Sequence, residues 1–371
     1  MSSSSTHSQF IMVGLSGGVD SSVSALLLKQ QGYQVAGLFM KNWVDLEGDG
    51  QCPIEEDLKD AGHIAERLEI DFYTENFAPE YWDRVFAHFL DEYKAGRTPN
   101  PDVLCNKEIK FDLFLHRAME LGADKIATGH YARLEEQDGL QVLKKAVDLN
   151  KDQTYFLHAL NQYQLSRSVF PLGEMHKPEV RDIATQYHFQ NSGKKDSTGI
   201  CFIGEKNFGE FLSQYLPAQP GLMQTPDGKT VSEHMGLMYY TLGQRKGIGI
   251  GGRQDSGEDP WFVVGKRIQD NILVIAQGHD HPLLYSRELK AIDVNWISGE
   301  ELQLPLRCSA KTRYRQDDQA CTIVEKQGEH YIVQFDEPQR AMTPGQSAVF
   351  YLDDVCLGGG VIDFVKDIIY Q

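Results

Sequence analysis

Along the first half of the chain, short apolar runs alternate with stretches of helical spacing. Phe10 to Leu15 is an apolar run leading into a glycine-rich turn, after which Val23, Leu26, Leu27 and Gln30 follow a helical period. Gly32 is placed to end that helix, since a residue without Cβ takes the left-handed closing conformation easily. Val35 to Met40 reads as the next strand. Leu58, Ala61, Ile64, Ala65 and Leu68 share one helical face, and so do Trp82, Val85, Phe86, Phe89 and Tyr93. A further helix is expected after Asn106, stopping at Gly122, with a strand at Lys125 to Thr128. Strands alternating with helices predict a parallel sheet covered on both faces, a Rossmann-like α/β domain that binds its ligand at the carboxyl ends of its strands.

Beyond about residue 205 the pattern changes. Trp261 to Arg267 and Ile272 to Gln277 flank Asp270-Asn271 as a hairpin would. Short strand patterns follow at Cys321 to Glu325, Tyr331 to Phe335, Ala348 to Leu352 and Val355 to Ile362, with a turn signal at Thr343-Pro344-Gly345. The expected organisation is an α/β domain over residues 9–205, a small central domain over 206–285 and a C-terminal antiparallel β-barrel over 286–371.

Composition narrows the class. No apolar run reaches the length of a membrane span, and the polar start Met1 to Ser8 lacks the features of a secretory signal. Six dispersed cysteines without a C-x-x-C pair fit free thiols in a reducing, cytoplasmic setting better than a disulfide framework or a structural zinc site. The net charge of -17 argues against nonspecific coating of nucleic acid. It leaves room for local basic faces, because charges act over a Debye length of roughly 8 Å. Two runs are basic and free of acids: Thr241 to Arg253, with Arg245, Lys246 and Arg253, and Arg307 to Arg315, with Lys311 and Arg313 between them.

Three segments carry candidate chemistry. Ser16-Gly17-Gly18-Val19-Asp20-Ser21-Ser22 lies between the first strand and the first helix. Glycines let backbone approach an anion, a helix start offers free N–H groups, and the serines add donors. The Walker lysine is absent. In Asn100-Pro101-Asp102-Val103-Leu104-Cys105-Asn106, Asn106 reads as a helix cap, which would put Cys105 just before a helix start, where a thiolate is favoured. Asp102 could act there as base or acceptor, with Lys107 and Lys110 nearby. Cys201 sits between Gly199 and Gly204 in a loop that could move or could equally be anchored by Ile200, Phe202 and Ile203. Cys52, Cys308, Cys321 and Cys356 have no such setting, and Cys321 and Cys356 read as packing residues in strands.

The loop of residues 16–22 resembles the pyrophosphate loop of the N-type ATP pyrophosphatases, which adenylate an oxygen and release pyrophosphate. Taken with Asn100 to Asn106, Thr128-Gly129-His130-Tyr131-Ala132, Lys151-Asp152-Gln153-Thr154-Tyr155, Ser197 to Gly204 and Gly243 to Ile248, the chain resembles the tRNA-specific 2-thiouridylases nearly from end to end. That resemblance implies ATP and Mg²⁺ as cofactors, with ATP at Gly14, Leu15, Ser16, Gly17, Gly18, Val19, Asp20, Ser21, Met40 and Gly129. It implies Cys201 as the cysteine that receives sulfur as a persulfide and Cys105 as its partner, the two closing a transient disulfide, with Asp102 beside them. Asn100, Pro101 and Asp102 match the segment around the target base, and His130, Lys151, Asp152, Gln153, Arg313, Tyr314 and Gln346 match tRNA contacts. The partners implied are the anticodon stem-loop of tRNA and a persulfide sulfur-carrier protein.

Other readings remain at this point. Another ATP pyrophosphatase acting on a small molecule would need neither two reactive thiols nor a barrel with basic strands. An RNA-binding module with a vestigial nucleotide site would not need the intact loop. With Asp102, Cys105 and Cys201 as ligands, the site could instead hold an iron–sulfur cluster.

Overall fold

The computed structural model describes residues 8–43, 53–195, 208–250 and 259–370. In the first domain the apolar runs become β1 (Phe10–Gly14), β2 (Gln34–Lys41), β3 (Asp71–Asn76) and β4 (Lys125–Ala127). A hairpin of β5 (Ala132–Gln137) and β6 (Leu140–Lys145) follows, and then β7 (Ser168–Val169). The sheet has the order β3-β2-β1-β4-β7, with every neighbouring pair parallel. Both faces of β1 are buried. Ile11 and Val13 pack with Val23, Leu26 and Ile64, while Met12 packs with Phe86, Phe89, Phe111 and Phe114 on the other side. Burying one such aliphatic or aromatic side chain contributes about 1.5–3 kcal/mol, so the two helical layers hold the sheet firmly. The chain leaves β1 through the helix Val19–Gln30 toward β2, and β4 lies on the opposite side of β1. This reversal opens a crevice beyond the carboxyl ends of β1 and β4, the place where such sheets take ligands.

The helix expected after Asn106 starts earlier. Asn100 is its cap, accepting from the Asp102 backbone N–H at 3.2 Å, and Pro101 occupies the first turn, where its missing N–H costs nothing. The helical backbone then runs unbroken from Pro101 to Glu120. Its middle, Cys105–Leu113, has wide turns, and the Phe114 N–H donates to Ile109 O, five residues back. Cys105 therefore lies inside the helix, with φ -58° and ψ -43°. Asn106 is no cap, because its side-chain amide reaches Phe156 O at 3.2 Å.

The central domain contains β8 (Gly221–Gln224), β9 (Thr230–His234), β10 (Trp261–Arg267) and β11 (Ile272–Gln277). Its β10–β11 hairpin turns as the sequence predicts, with Asn271 at φ 52°. The barrel is built from β12 (Tyr285–Trp296), β13 (Leu306–Lys311), β14 (Gln319–Gln327), β15 (His330–Arg340), β16 (Ser347–Leu352) and β17 (Val355–Val365). It closes through antiparallel pairing of β12 with both β15 and β17. Strand β17 also pairs with β6, so the barrel sheet continues onto the first domain. The last strand, β18 (Ile369–Tyr370), returns to the central sheet and pairs in parallel with β10.

That return locks the domains at one carbonyl. The Lys266 side-chain nitrogen on β10 donates to Gly96 O at 2.7 Å, and the Tyr370 hydroxyl donates to the same oxygen. Lys266 is only 1% exposed, and burial pushes its pKa from 10.5 down to about 7. Between those values the unfolded chain carries a proton there that the folded chain has lost, so stability rises with pH across that window. In urea unfolding, wild type should gain about 2 kcal/mol between pH 7 and pH 9 relative to Lys266→Met. Parallel pH dependence in both proteins would contradict a Lys266 that loses its proton on folding.

Candidate active site

The turn after β1 is held open by its own serines. Ser21 Oγ donates to Gly18 O at 3.1 Å and accepts from the Ser16 backbone N–H at 3.2 Å, while Ser22 Oγ donates to Gly18 O at 2.9 Å. Gly17 sits at φ 76°, and a Cβ there would lie 2.4 Å from the Asp57 carbonyl. Gly18, the helix cap, has ordinary extended geometry, and a Cβ would meet only Ser16 Oγ at 3.3 Å. The opposite wall is the turn after β4. A Cβ on Gly129 would come within 2.8 Å of the Ser21 backbone nitrogen, so only glycine lets that turn close on the helix start. Gly14 is similarly enclosed, with Met40 Cε 3.2 Å and Phe114 Cε1 3.3 Å from where its Cβ would be.

Asp20, in the first turn of the helix, is tied to two other segments. Lys177 Nζ donates to both carboxylate oxygens, at 2.6 and 2.8 Å, and the Tyr131 hydroxyl donates to Oδ1 at 3.0 Å. The Tyr131 backbone is clamped in turn by Gln153, whose side-chain oxygen accepts from its N–H and whose own N–H donates to its carbonyl, both at 2.9 Å. Asn191, nine-tenths buried, donates to Gly17 O at 2.9 Å and to Ser22 Oγ at 3.0 Å. A helix start with oriented amides and a neutralised carboxylate is suited to an anion such as a polyphosphate.

The cysteine helix reaches this crevice from the side. Cys105 is 2% exposed, one turn beyond Asp102. The thiolate argument from a helix start directly after Cys105 does not hold, because the dipole effect fades beyond the first turn. Burial raises the Asp102 carboxyl above the usual carboxylate range, with Lys110 opposing it. Lys110 also faces His130, whose imidazole burial and this cation hold well below its ordinary pKa, so the ring is neutral at pH 7. Its Nδ1 lies 2.7 Å from Thr128 Oγ1, and its ring packs 5.7 Å from Phe111.

The barrel supplies the far wall. Gln346 donates to Thr98 O at 2.7 Å and to Pro99 O at 3.3 Å, and the Thr98 N–H donates to Pro344 O at 3.0 Å. The turn of Thr343-Pro344-Gly345 thus grips the segment leading into Asn100. Tyr314 packs against Phe156, with ring centroids 4.4 Å apart, and Tyr155 donates to Ser347 O at 3.0 Å. Arg313 is fastened to the carbonyls of Arg340 and Ala341. Arg315 lies over the Tyr314 ring at 5.6 Å, while Arg245 and Lys246 are exposed in the central domain.

The residues singled out from the sequence fall into two groups. Gly14 to Ser21 and Gly129 gather around the turn after β1, with Leu15 and Val19 buried in the core and Met40 close to Gly14. Asn100, Pro101, Asp102 and Cys105 lie at the start of the neighbouring helix, with Gln346 bonded to the segment before it and Tyr314 packed on Phe156. Asp152 is 4% exposed, and its carboxylate braces its own turn, accepting from Ala146 N at 3.0 Å and Thr154 Oγ1 at 2.8 Å. Lys151 is half-buried beside it. Cys201, Cys52 and Arg253 lie outside the described residues. Sequence reading missed Lys177 and Asn191. Their roles come from contacts that no local pattern signals, Lys177 meeting Asp20 across 157 positions.

Fold and site together define a nucleotide-activating α/β domain whose cysteine helix faces a β-barrel. Residues 9–205 match the family model described as tRNA methyl transferase HUP domain. Residues 209–277 match the tRNA methyl transferase PRC-barrel domain, and 286–362 the Aminomethyltransferase beta-barrel domain. The chain is 60% identical over 353 residues to the tRNA-specific 2-thiouridylase MnmA of Pseudomonas aeruginosa strain UCBPP-PA14, covering 95% of this chain and 94% of that one. It is 57% identical over 363 residues to the MnmA of Pseudomonas fluorescens strain Pf-5, covering 98% and 96%. Such identity over almost the whole length decides between the two labels: the chain belongs to the tRNA-specific 2-thiouridylase family. Among solved structures, the U34-tRNA thiolase NcsA of Methanococcus maripaludis, described with its [4Fe-4S] cluster, is similar at a TM-score of 0.34 and 18% identity, over 56% of this chain and 65% of its own.

Proposed function

We infer that this protein is an ATP-dependent tRNA uridine sulfurtransferase, and we propose that it replaces the C2 oxygen of the anticodon wobble uridine with sulfur. The observation that supports this reading best is the single helix Pro101–Glu120. It carries Cys105 near one end and sets Phe114 against Gly14 of the phosphate-loop strand, so one rigid element joins thiol chemistry to nucleotide chemistry.

In the proposed reaction the loop of residues 14–21 and Gly129 would hold ATP, and Mg²⁺, which Asp20 would help to hold, would supply charge compensation for the phosphates. A uracil C2 carbonyl is a poor electrophile, because amide-like resonance stabilises it and oxide leaves badly. Attack of its oxygen on the α-phosphorus expels pyrophosphate and turns that oxygen into part of AMP, a good leaving group. Persulfide sulfur on Cys201 then attacks C2 and AMP departs. Cys105 attacks the Cys201 sulfur, releasing thiouridine and leaving a disulfide for a reductant to open. Asn100 to Asp102 would face the base, which must leave its stack to reach them, and a loop nucleotide does so more readily than a paired one.

A persulfide-carrying protein would load Cys201, and the cytoplasm, where tRNA is modified, would be the setting. Asp102 and Cys105 lie on one helix, while Cys201, the third ligand considered for an iron–sulfur cluster, lies outside the described residues.

Labelled ATP with unmodified tRNA and a persulfide donor should give AMP and pyrophosphate together with 2-thiouridine. ADP as the main product would remove the adenylation step. The barrel wall makes its own prediction: Arg313→Ala should weaken tRNA binding and lower the salt slope of log K by roughly one unit. Unchanged affinity and slope would take the barrel out of the tRNA interface.

A further inference from the structure

Two cysteines outside the reaction are placed for chemistry of their own. Cys308 on β13 and Cys321 on β14 stand directly opposite in the antiparallel register, between the pairs Arg307–Thr322 and Ser309–Ala320. Their sulfur atoms are 3.7 Å apart. Directly opposed residues in such a ladder have Cα atoms about 4.5–5.5 Å apart, inside the about 4.4–6.8 Å that a disulfide spans. Side-chain rotation alone can therefore bring the sulfurs from contact to a bond of about 2.05 Å. We propose that Cys308 and Cys321 form a reversible dithiol–disulfide pair, oxidised by hydroperoxides, that staples the hairpin presenting Arg313 and Tyr314.

The two thiols are not equivalent. Cys308 is 8% exposed and Cys321 is fully buried. The Cys321 thiol as hydrogen-bond partner and the Arg307 guanidinium hold Cys308 below the ordinary thiol range, whereas Cys321 is pushed up. Arg307 is itself fixed by Asp336 at 2.6 Å, which keeps its charge near Cys308. The order of events follows. The Cys308 thiolate attacks one peroxide oxygen, the O–O bond breaks, and the leaving hydroxide takes a proton to become water, giving a sulfenic acid. Cys321 sulfur then attacks Cys308 sulfur, the S–O bond breaks, and the Cys321 proton leaves with the hydroxyl as a second water. Two thiols are oxidised and one peroxide is reduced, and a dithiol reductant reverses the bond.

The bond would close a loop from residue 308 to 321 around the turn that carries Arg313, Tyr314 and Arg315. Its formation does not depend on the tRNA reading; only its consequence for RNA binding does. The test treats the full chain with hydrogen peroxide at a dose that oxidises free cysteine in the same buffer. The protein is then alkylated after unfolding and digested with trypsin. Peptides 308–311 and 316–326 should appear joined and lighter by the two thiol hydrogens, should separate with dithiothreitol, and should never join in Cys308→Ser or Cys321→Ser. Full alkylation of both cysteines after peroxide, or oxidation that dithiothreitol does not reverse, would overturn the assignment.

Discussion

Gly18→Val should fold almost as well as wild type yet lose ATP affinity by at least about a hundredfold, roughly 2.8 kcal/mol. The phosphate turn separates two effects that a sequence reading merges. At Gly17 a new side chain would strike the Asp57 carbonyl and would also sit at φ 76°, so Gly17→Val damages the turn itself. At Gly18 the backbone is extended and the space where a Cβ would go is bounded only by the flexible Ser16 hydroxyl. A valine there costs the fold no more than about 1 kcal/mol, the loss of a fair helix cap. What it fills is the region in front of the first free amides of the helix Val19–Gln30, where a phosphate would lie. Thermal unfolding and equilibrium ATP binding on the two variants separate the cases. Wild-type ATP affinity in a folded Gly18→Val protein would place the nucleotide elsewhere.

The second large effect concerns the cysteines. Cys201→Ser should lose protein-bound sulfur and all thiolation. Cys105→Ser should still consume ATP on tRNA and still load sulfur on Cys201, yet fail to turn over. Cys105 is buried inside a helix, one turn beyond Asp102, rather than standing ahead of one, so a helix start does not supply its reactivity. Labelled sulfur followed through both variants, with and without reductant, reads the division of labour. Sulfur on Cys105 in the Cys201→Ser protein would reverse the roles, and multiple turnover by either variant would end the two-cysteine mechanism.

Much of the architecture was legible because burial imposes periodicity. β1, β2 and β4 are short apolar runs, the Asp270-Asn271 turn marks its hairpin, and β14 to β17 lie where the strand patterns put them. What was hidden depended on distant partners. Asn106 looked like a cap because residue type suggests one, but Phe156, fifty positions away, claims its amide, and Asn100 with Pro101 starts the helix instead. The β5–β6 hairpin is rich in charged residues and lacks a clean alternation, since its outer surface is solvated. Nothing in the strand pattern of Trp261 to Arg267 signals that Lys266 is buried, with β18 paired alongside it. Cys321 reads as a packing residue and Cys308 as a cysteine with no particular setting, because register across a sheet is invisible in one strand at a time. Of the candidate site, the serine- and glycine-rich turn was legible as a strand-to-helix connection, whereas Lys177 and Asn191, which bond to Asp20 and Gly17, were not.

The account rests on activation of the uridine C2 oxygen by AMP, and the fate of that oxygen tests it most directly. A tRNA carrying heavy oxygen at C2 of the target uridine is converted with ATP and a persulfide donor, and the products are weighed by mass spectrometry. The predicted result is heavy oxygen in the phosphate of AMP and sulfur in the base. Heavy oxygen released to water, with AMP unlabelled, would contradict the adenylated intermediate.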